Sequence, residues 1–225
     1  MKGKVKVFRF NPKADKEPYY LTYDFSFKKG MTVLDVLLQI YTEQDSSLGF
    51  KYSCRSGHCG LCGVKVNGKE ALMCREAAMA EMTISPLDNI LVVKDLIVDR
   101  DEYEKRLLKL RLFLERLDEP RKMPELIDME ALHKFKIASR CVECFCCLSI
   151  CPVFSNNPHN FIGPAAFIQE ARHLFDPRDV LNRKVIVSEQ GLSLCKECGK
   201  CSSVCPQHVS PADIIKEMKK TLKVV

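Results

Sequence analysis

Thirteen of the 225 residues are cysteines, and twelve of them fall into three spaced sets. The first is Cys54-x4-Cys59-x2-Cys62, followed after eleven residues by Cys74. The second is Cys141-x2-Cys144-x2-Cys147-x3-Cys151-Pro152, and the third repeats it as Cys195-x2-Cys198-x2-Cys201-x3-Cys205-Pro206. The x4-x2 opening is the plant-type spacing for a [2Fe–2S] cluster, and the duplicated spacing is that of cubane clusters. Three thiolates at three-residue steps on a tight loop reach three corners of one cube. The fourth, just before proline, lies where the chain has turned away and ligates the other cluster. The expected ligands are therefore Cys54, Cys59, Cys62 and Cys74 for one [2Fe–2S] cluster. Cys141, Cys144, Cys147 and Cys205 are expected to hold a first [4Fe–4S] cluster, and Cys151, Cys195, Cys198 and Cys201 a second. Structural zinc also accepts four thiolates, but a tandem copy of the whole spacing favours the cubane reading.

The odd cysteine, Cys146, reads as a small buried thiol, because Cys147 keeps the two-residue interval. Gly57, Gly60 and Gly63 interleave the first ligand set, where they permit positive φ and a close approach of backbone N–H groups to the sulfides. His58 lies in the same loop, but a Rieske centre needs two histidines on one iron. It and His133, His159, His173 and His208 have no paired spacing, so surface or supporting roles are expected. No glycine fingerprint for a nucleotide follows a strand, and no nucleophile–base–acid set stands out. Such a chain moves electrons singly and leaves substrate chemistry to a partner's cofactor, so no catalytic residue is expected in it.

The elements that must position these cysteines divide near residue 100. Lys4 to Phe10 opens with period-two alternation and Tyr19 to Phe27 is rich in aromatic residues, so both read as strands. Thr32 can cap a helix with Asp35 reaching back, and Val36, Leu37, Ile40 and Tyr41 form its expected buried stripe. Val64 to Val66, Asn67-Gly68 and Glu70 to Met73 read as a hairpin. Met82 to Ile84 and Ile90 to Val93 are further strand candidates. Beyond Asp101, Tyr103, Leu107, Leu110, Leu114 and Leu117 recur at helical steps and predict one helix closed by Pro120. Further helices are expected over Met129 to Ile137, Ala165 to Phe175 and Asp213 to Leu222, the last with Ser210 as cap and Pro211 in its first turn. The predicted fold class is α+β. A β-grasp domain of plant-type ferredoxin kind (1–100) precedes an all-α domain of bacterial-ferredoxin kind (101–225).

Composition agrees with a folded, intracellular chain: 46% hydrophobic residues, 28% charged residues and a net charge of +6. No stretch approaches the roughly 18 apolar residues of a membrane span. Met1-Lys2-Gly3-Lys4 runs into alternating Val and Lys without an apolar core, so no secretory leader is expected and the thiols face a reducing compartment. Lys134, Lys136, Lys216, Lys219 and Lys220 are interspersed with apolar residues and read as solvated helix faces. The sharper reading is a basic face for an acidic partner. Nothing aromatic interleaves them, which argues against nucleic acid.

With these motifs on one chain, the sequence resembles the iron–sulfur subunit of succinate dehydrogenase and fumarate reductase. The resemblance is carried by Ser53-Cys54-Arg55-Ser56-Gly57-His58-Cys59-Gly60-Leu61-Cys62-Gly63, Cys74, Asp95-Leu96-Ile97-Val98-Asp99, Cys141 to Pro152 and Cys195 to Pro206. It implies an electron-transfer subunit of an oxidoreductase complex, in the tricarboxylic acid cycle or anaerobic respiration, with no substrate site of its own. The implied partners are an FAD-containing flavoprotein subunit and, at the other end, a membrane anchor or a cysteine-rich redox subunit. The implied location is cytoplasmic, peripheral on the inner face of the cell membrane through those partners. Related flavin oxidoreductases, such as heterodisulfide-linked reductases, share the duplicated motif but usually lack the [2Fe–2S] domain. Common members lack the second cysteine of the second cubane motif and hold [3Fe–4S] there. Here Cys198 fills that position, so [4Fe–4S] is expected. Common members also carry a Trp after the first Cys-Pro and a His after the first cysteine of the second motif. This chain has Val153 to Asn156 and Lys196 there, and no Trp. These departures resemble archaeal and anaerobic forms with a cysteine-rich third subunit.

Overall fold

The computed structural model describes residues 2–119 and 124–224. In chain order the strands are β1 (Lys2–Arg9), β2 (Tyr19–Ser26), β3 (Gly63–Val66), β4 (Lys69–Leu72), β5 (Glu81–Ser85), β6 (Val92–Lys94) and β7 (Ile97–Val98). The helices are α1 (Val33–Glu43), α2 (Asp101–Leu107), α3 (Met129–Ala138), α4 (Cys146–Ser149), α5 (Pro152–Asn156), α6 (Pro164–Leu174), α7 (Arg183–Glu189), α8 (Lys200–Ser203) and α9 (Pro211–Leu222). They form two compact units. One is Met1–Asp99 with Val142–Ile150, and the other is Arg100–Cys141 with Cys151–Val225.

The first unit is a five-stranded sheet in the order β2-β1-β5-β3-β4. β1 runs parallel to β5, pairing Val5 with Met82 and Val7 with Ile84, and every other pair is antiparallel. Alternation along β1 turns Val5 and Val7 inward and Lys4 and Lys6 out, as period two requires. The β3–β4 turn is Asn67-Gly68 with both residues at positive φ, the twist-matched geometry that this dipeptide favours. α1 begins with a complete capping box. Thr32 Oγ1 accepts from the Asp35 N–H at 3.2 Å, and Asp35 Oδ2 accepts from the Thr32 N–H at 2.9 Å. Its buried residues are Val33, Leu34, Val36, Leu37 and Ile40. Tyr41, expected among them, is 43% exposed and instead packs its ring edge-on to Phe50. The hydrophobic core lies between α1 and the sheet.

The second unit is helical. α6 is buried along most of its length and packs against α9 and α3. The helix expected from Tyr103 to Pro120 is the main departure. It ends as a 3-10 turn at Leu108–Leu110, Arg111 follows in the left-handed region, and Leu117 is 90% exposed. Pro120 lies outside the described residues. The physical reason is the buried Arg183, whose guanidinium takes the carbonyls of Leu110 (3.2 Å), Arg111 (3.0 Å) and Phe113 (2.9 Å). Glu115 is drawn off as well: its carbonyl accepts from Val180 at 2.9 Å and its N–H donates to Asp179 at 3.2 Å. Backbone groups engaged in this way cannot continue the helical ladder. α9 has Pro211 at its first position as expected, but the Ser210 side chain makes no cap. Ser202 Oγ accepts the Ala212 N–H at 3.0 Å in its place.

No helix among the described residues is long and apolar enough to cross a membrane.

Candidate iron–sulfur cluster sites

In the first unit, the loop after α1 carries Cys54, Cys59 and Cys62 into β3, and β4 delivers Cys74. Cys54 is exposed, Cys59 half-buried, and Cys62 and Cys74 buried. The loop closes on the Cys54 sulfur. Its Sγ accepts the N–H groups of His58 at 3.2 Å, Cys59 at 3.3 Å and Ser56 at 3.5 Å. Arg55, Gly57 and Gly60 all stand at positive φ, which is how so many N–H groups turn toward one atom. Those donors, Ser56 first, draw the Cys54 thiol down to about 6. Cys62 Sγ lies 3.4 Å from Cys74 Sγ, and the Met73 N–H donates to the Cys62 carbonyl at 3.0 Å. Burial pushes the Cys62 thiol up to about 12, with Cys74 and Cys59 near enough to add to it. A cluster ligand must be thiolate, so metal binding there displaces a proton.

Gly60 and Gly63 show why this loop lacks side chains. A Cβ on Gly60 would sit 1.8 Å from the Val142 carbonyl oxygen, and one on Gly63 would sit 2.4 Å from that of Cys144. The segment Val142–Ile150 is thus packed directly on the loop. It is anchored further by Ser149, whose hydroxyl donates to Glu70 and accepts the Asp88 N–H, both at 2.9 Å.

The two duplicated motifs share a backbone signature. Glu143 and Phe145 stand at φ 50° and 68° in the first copy, and Glu197 and Gly199 at 52° and 78° in the second. Each second left-handed residue opens a one-turn helix, α4 or α8, that bears the third cysteine of its motif. Within the first unit, Cys144 and Cys147 flank the fully buried Cys146. Hydrogen bonding with Cys144, then burial, holds the Cys146 thiol well above its ordinary range.

Within the second unit, Cys151 comes to the Cys195–Cys201 loop. Burial raises the Cys151 thiol, and the charges of Cys195 and Cys198 add to it. Burial likewise pushes Cys201 up to about 12, reinforced by Cys195, Cys151 and Cys198. All four are therefore within electrostatic reach of one another. Cys151 is also the N-cap of α5, with Pro152 at its first position and the Phe154 N–H donated to its sulfur at 3.5 Å. The same unit draws the flanks of Cys141 and Cys205 together. Arg140 donates to the His208 carbonyl at 3.4 Å, and Cys205 Sγ accepts the Val209 N–H at the same distance.

Among the described residues, no three Cys, His, Asp or Glu side chains converge on a single point. All-thiol donors, inward N–H groups and side-chain-free approaches fit iron–sulfur clusters.

Sequence reasoning missed Lys219. Its ammonium donates to the Cys195 carbonyl at 2.8 Å and pairs with Glu197 at 3.2 Å, tying α9 to the cysteine loop. Nothing local to its position distinguishes it from the other lysines of α9. Of the histidines, His173 alone is half-buried, and burial lowers its pKa. The other four are exposed.

Residues 4–105 match the family described as 2Fe-2S iron-sulfur cluster binding domain, and residues 137–209 that described as 4Fe-4S dicluster domain. A subunit of the fumarate reductase (CoM/CoB) of Methanothermobacter marburgensis is 38% identical over 96% of this chain, which spans 43% of that relative's length. The "Fumarate reductase iron-sulfur subunit" of Mycobacterium tuberculosis is 32% identical over 96% of this chain and 91% of its own length. Among solved structures, a chain of the "Mycobacterium smegmatis Sdh1 complex in the apo form" superposes with a TM-score of 0.85 at 26% identity. The match covers 98% of this chain and 95% of that one.

Proposed function

The chain belongs to the family of iron–sulfur subunits of succinate dehydrogenases and fumarate reductases, and from that premise we propose that it relays single electrons between an FAD flavoprotein subunit and a quinone or further redox subunit. The first unit holds one [2Fe–2S] cluster on Cys54, Cys59, Cys62 and Cys74. Two [4Fe–4S] clusters follow, on Cys141, Cys144, Cys147 and Cys205 and on Cys151, Cys195, Cys198 and Cys201. The clusters supply reversible one-electron chemistry. The chain's own groups set the conditions: backbone N–H groups donate to cysteine sulfur, burial shields Cys62, Cys74, Cys147, Cys151 and Cys201, and Lys219 pins the last loop. Succinate and fumarate would interconvert at the flavin of the partner, and an anchor or redox subunit at the other end would hold the chain peripherally at the membrane.

The observation that carries this reading is the company Cys151 keeps. Sequence-distant from Cys195 by more than a full motif, it lies with Cys195, Cys198 and Cys201 in one unit, as the interlocked ligation of two cubanes demands. The relative whose name includes CoM/CoB favours a second reading of the far end, in which a thiol-handling partner replaces the quinone.

Anaerobic purification with co-purifying subunits tests the proposal. The expected complex is brown, contains about ten irons per copy of this chain and one FAD per flavoprotein, and its clusters reduce on adding succinate. A colourless, zinc-loaded chain that binds no flavoprotein would refute it.

A further inference from the structure

Six lysines gather around the loop that carries Cys195, Cys198 and Cys201. Lys196 and Lys200 belong to the loop, and Lys216, Lys219, Lys220 and Lys223 follow α9 and its C-terminal cap. The four from α9 share a shallow concavity with Glu197 and Val224, so loop and helix form one surface. Lys184 joins them by donating to the Lys223 carbonyl at 3.5 Å. Of the nearby carboxylates, Glu197 is engaged with Lys219 and Glu217 with Lys134 at 3.3 Å, and Asp213, one turn before Lys216 on α9, makes no ion pair among the described residues. Among the described residues, no carboxylate lies in ion-pair range of Lys196, Lys200, Lys216, Lys220 or Lys223. Cys198 is the exposed cysteine of its set. The loop that bears the exposed Cys198 between Lys196 and Lys200 therefore adjoins an α9 surface rich in lysines, most of them without an ion-pair partner among the described residues.

Such a surface has a cost in self-repulsion and a benefit in steering an oppositely charged body. We propose that it docks a protein with an acidic face, which exchanges single electrons with the cluster on Cys151, Cys195, Cys198 and Cys201. The inference rests on the cluster assignment above and adds the chemistry of the partner at that end. A lipid surface would also satisfy the lysines, but headgroups carry no redox centre, and the lysines flank the loop that bears Cys198, the exposed cysteine of its set. In each encounter one electron passes between the reduced cluster and the acidic protein's centre. No bond forms and no proton moves.

The test uses the full chain with its clusters and two probes: flavodoxin as an acidic one-electron protein and cytochrome c as a basic one. With flavodoxin, the electron-transfer rate constant should fall at least about tenfold between low and physiological ionic strength. Lys216→Glu/Lys220→Glu should lower it by a similar factor at low salt, while transfer to cytochrome c rises. Lys4→Glu/Lys6→Glu, on the exposed face of β1, should change neither. Lys219 is left in place because it holds the loop. Independently of rate, zero-length carbodiimide coupling should join flavodoxin carboxylates to Lys216, Lys220 or Lys223. A salt-independent rate, cross-links spread over other lysines, or a double variant that loses only binding to phosphatidylglycerol vesicles would overturn the proposal. A chain without iron would instead sink the cluster assignment, a result read from metal content before any partner is added.

Discussion

Arg9 Nε donates to Asp95 Oδ1 at 3.1 Å across eighty-six residues of sequence, and both side chains are nearly closed to solvent. The same carboxylate accepts the Phe10 N–H at 2.8 Å and the Gly49 N–H at 2.7 Å. One buried charge thus joins the end of β1 to the segment that leads into the Cys54 loop. Burial opposes the Arg9 charge, but hydrogen bonds from Arg9 to Asp45, Asp95 and Tyr23 hold it above its ordinary range. Asp95→Ala would take from Arg9 one of its two carboxylates, leaving Asp45, and would orphan two backbone donors, and is expected to cost about 2–4 kcal/mol. Urea unfolding of the purified chain, with the [2Fe–2S] spectrum as a second readout, checks this. A variant as stable as the parent would contradict it.

Gly60→Ala should be far worse than Gly30→Ala. Both glycines stand at positive φ, but a Cβ on Gly30 meets nothing within 4 Å, while one on Gly60 strikes the Val142 carbonyl. The Gly30 variant bears only the left-handed penalty of about 1–2 kcal/mol. The Gly60 variant must also displace backbone and is expected to lose about 4 kcal/mol or more, along with the [2Fe–2S] cluster. Cluster occupancy by electron paramagnetic resonance separates the two.

Cys146→Ala is expected to leave the iron count unchanged. The Cys146 thiol is fully buried and sits 4.0 Å from the Ala71 carbonyl oxygen. Its loss should cost about 1 kcal/mol of packing. Loss of four irons on this substitution would show that Cys146, not Cys147, is the ligand.

Cys198→Ile should convert the cluster of its set from four irons to three. A three-iron cluster is paramagnetic when oxidised, so strictly anaerobic protein should gain an oxidised signal that the parent lacks. An oxidised three-iron signal at full occupancy in the parent would remove Cys198 from the ligands.

Glu170, fully buried beside Arg183 at 3.2 Å, predicts a pH dependence. Burial raises its pKa from 4.5 to about 7, against the opposing pull of Arg183. The folded state then binds this proton more tightly than the unfolded one, so stability falls as pH rises from about 4.5 to about 7 and is level above that. Glu170→Gln should remove that decline. The ratio of variant to parent unfolding rates, followed by visible absorbance from pH 5 to 8, should decrease across the window. A constant ratio would place the Glu170 pKa near its ordinary value.

The sequence by itself determined what depends on neighbours within a few residues. The cysteine sets, the Thr32–Asp35 capping box and the Asn67-Gly68 turn are short-range devices, and their chemistry is visible in spacing alone. The alternation of β1 and the apolar stripe of α1 were legible for the same reason, apart from Tyr41, which the Phe50 ring holds at the surface. Only the tertiary structure decided matters settled by distant groups. The helix expected through Leu117 stops at Leu110 because Arg183, some seventy residues later, takes its carbonyls. α9 is capped by Ser202 instead of Ser210, Lys219 becomes the anchor of the Cys195 loop, and Val142–Ile150 packs in the first unit. Helical periodicity records which face a segment can bury. It does not record which buried donor will arrive to claim its backbone, because that depends on where the rest of the chain is folded.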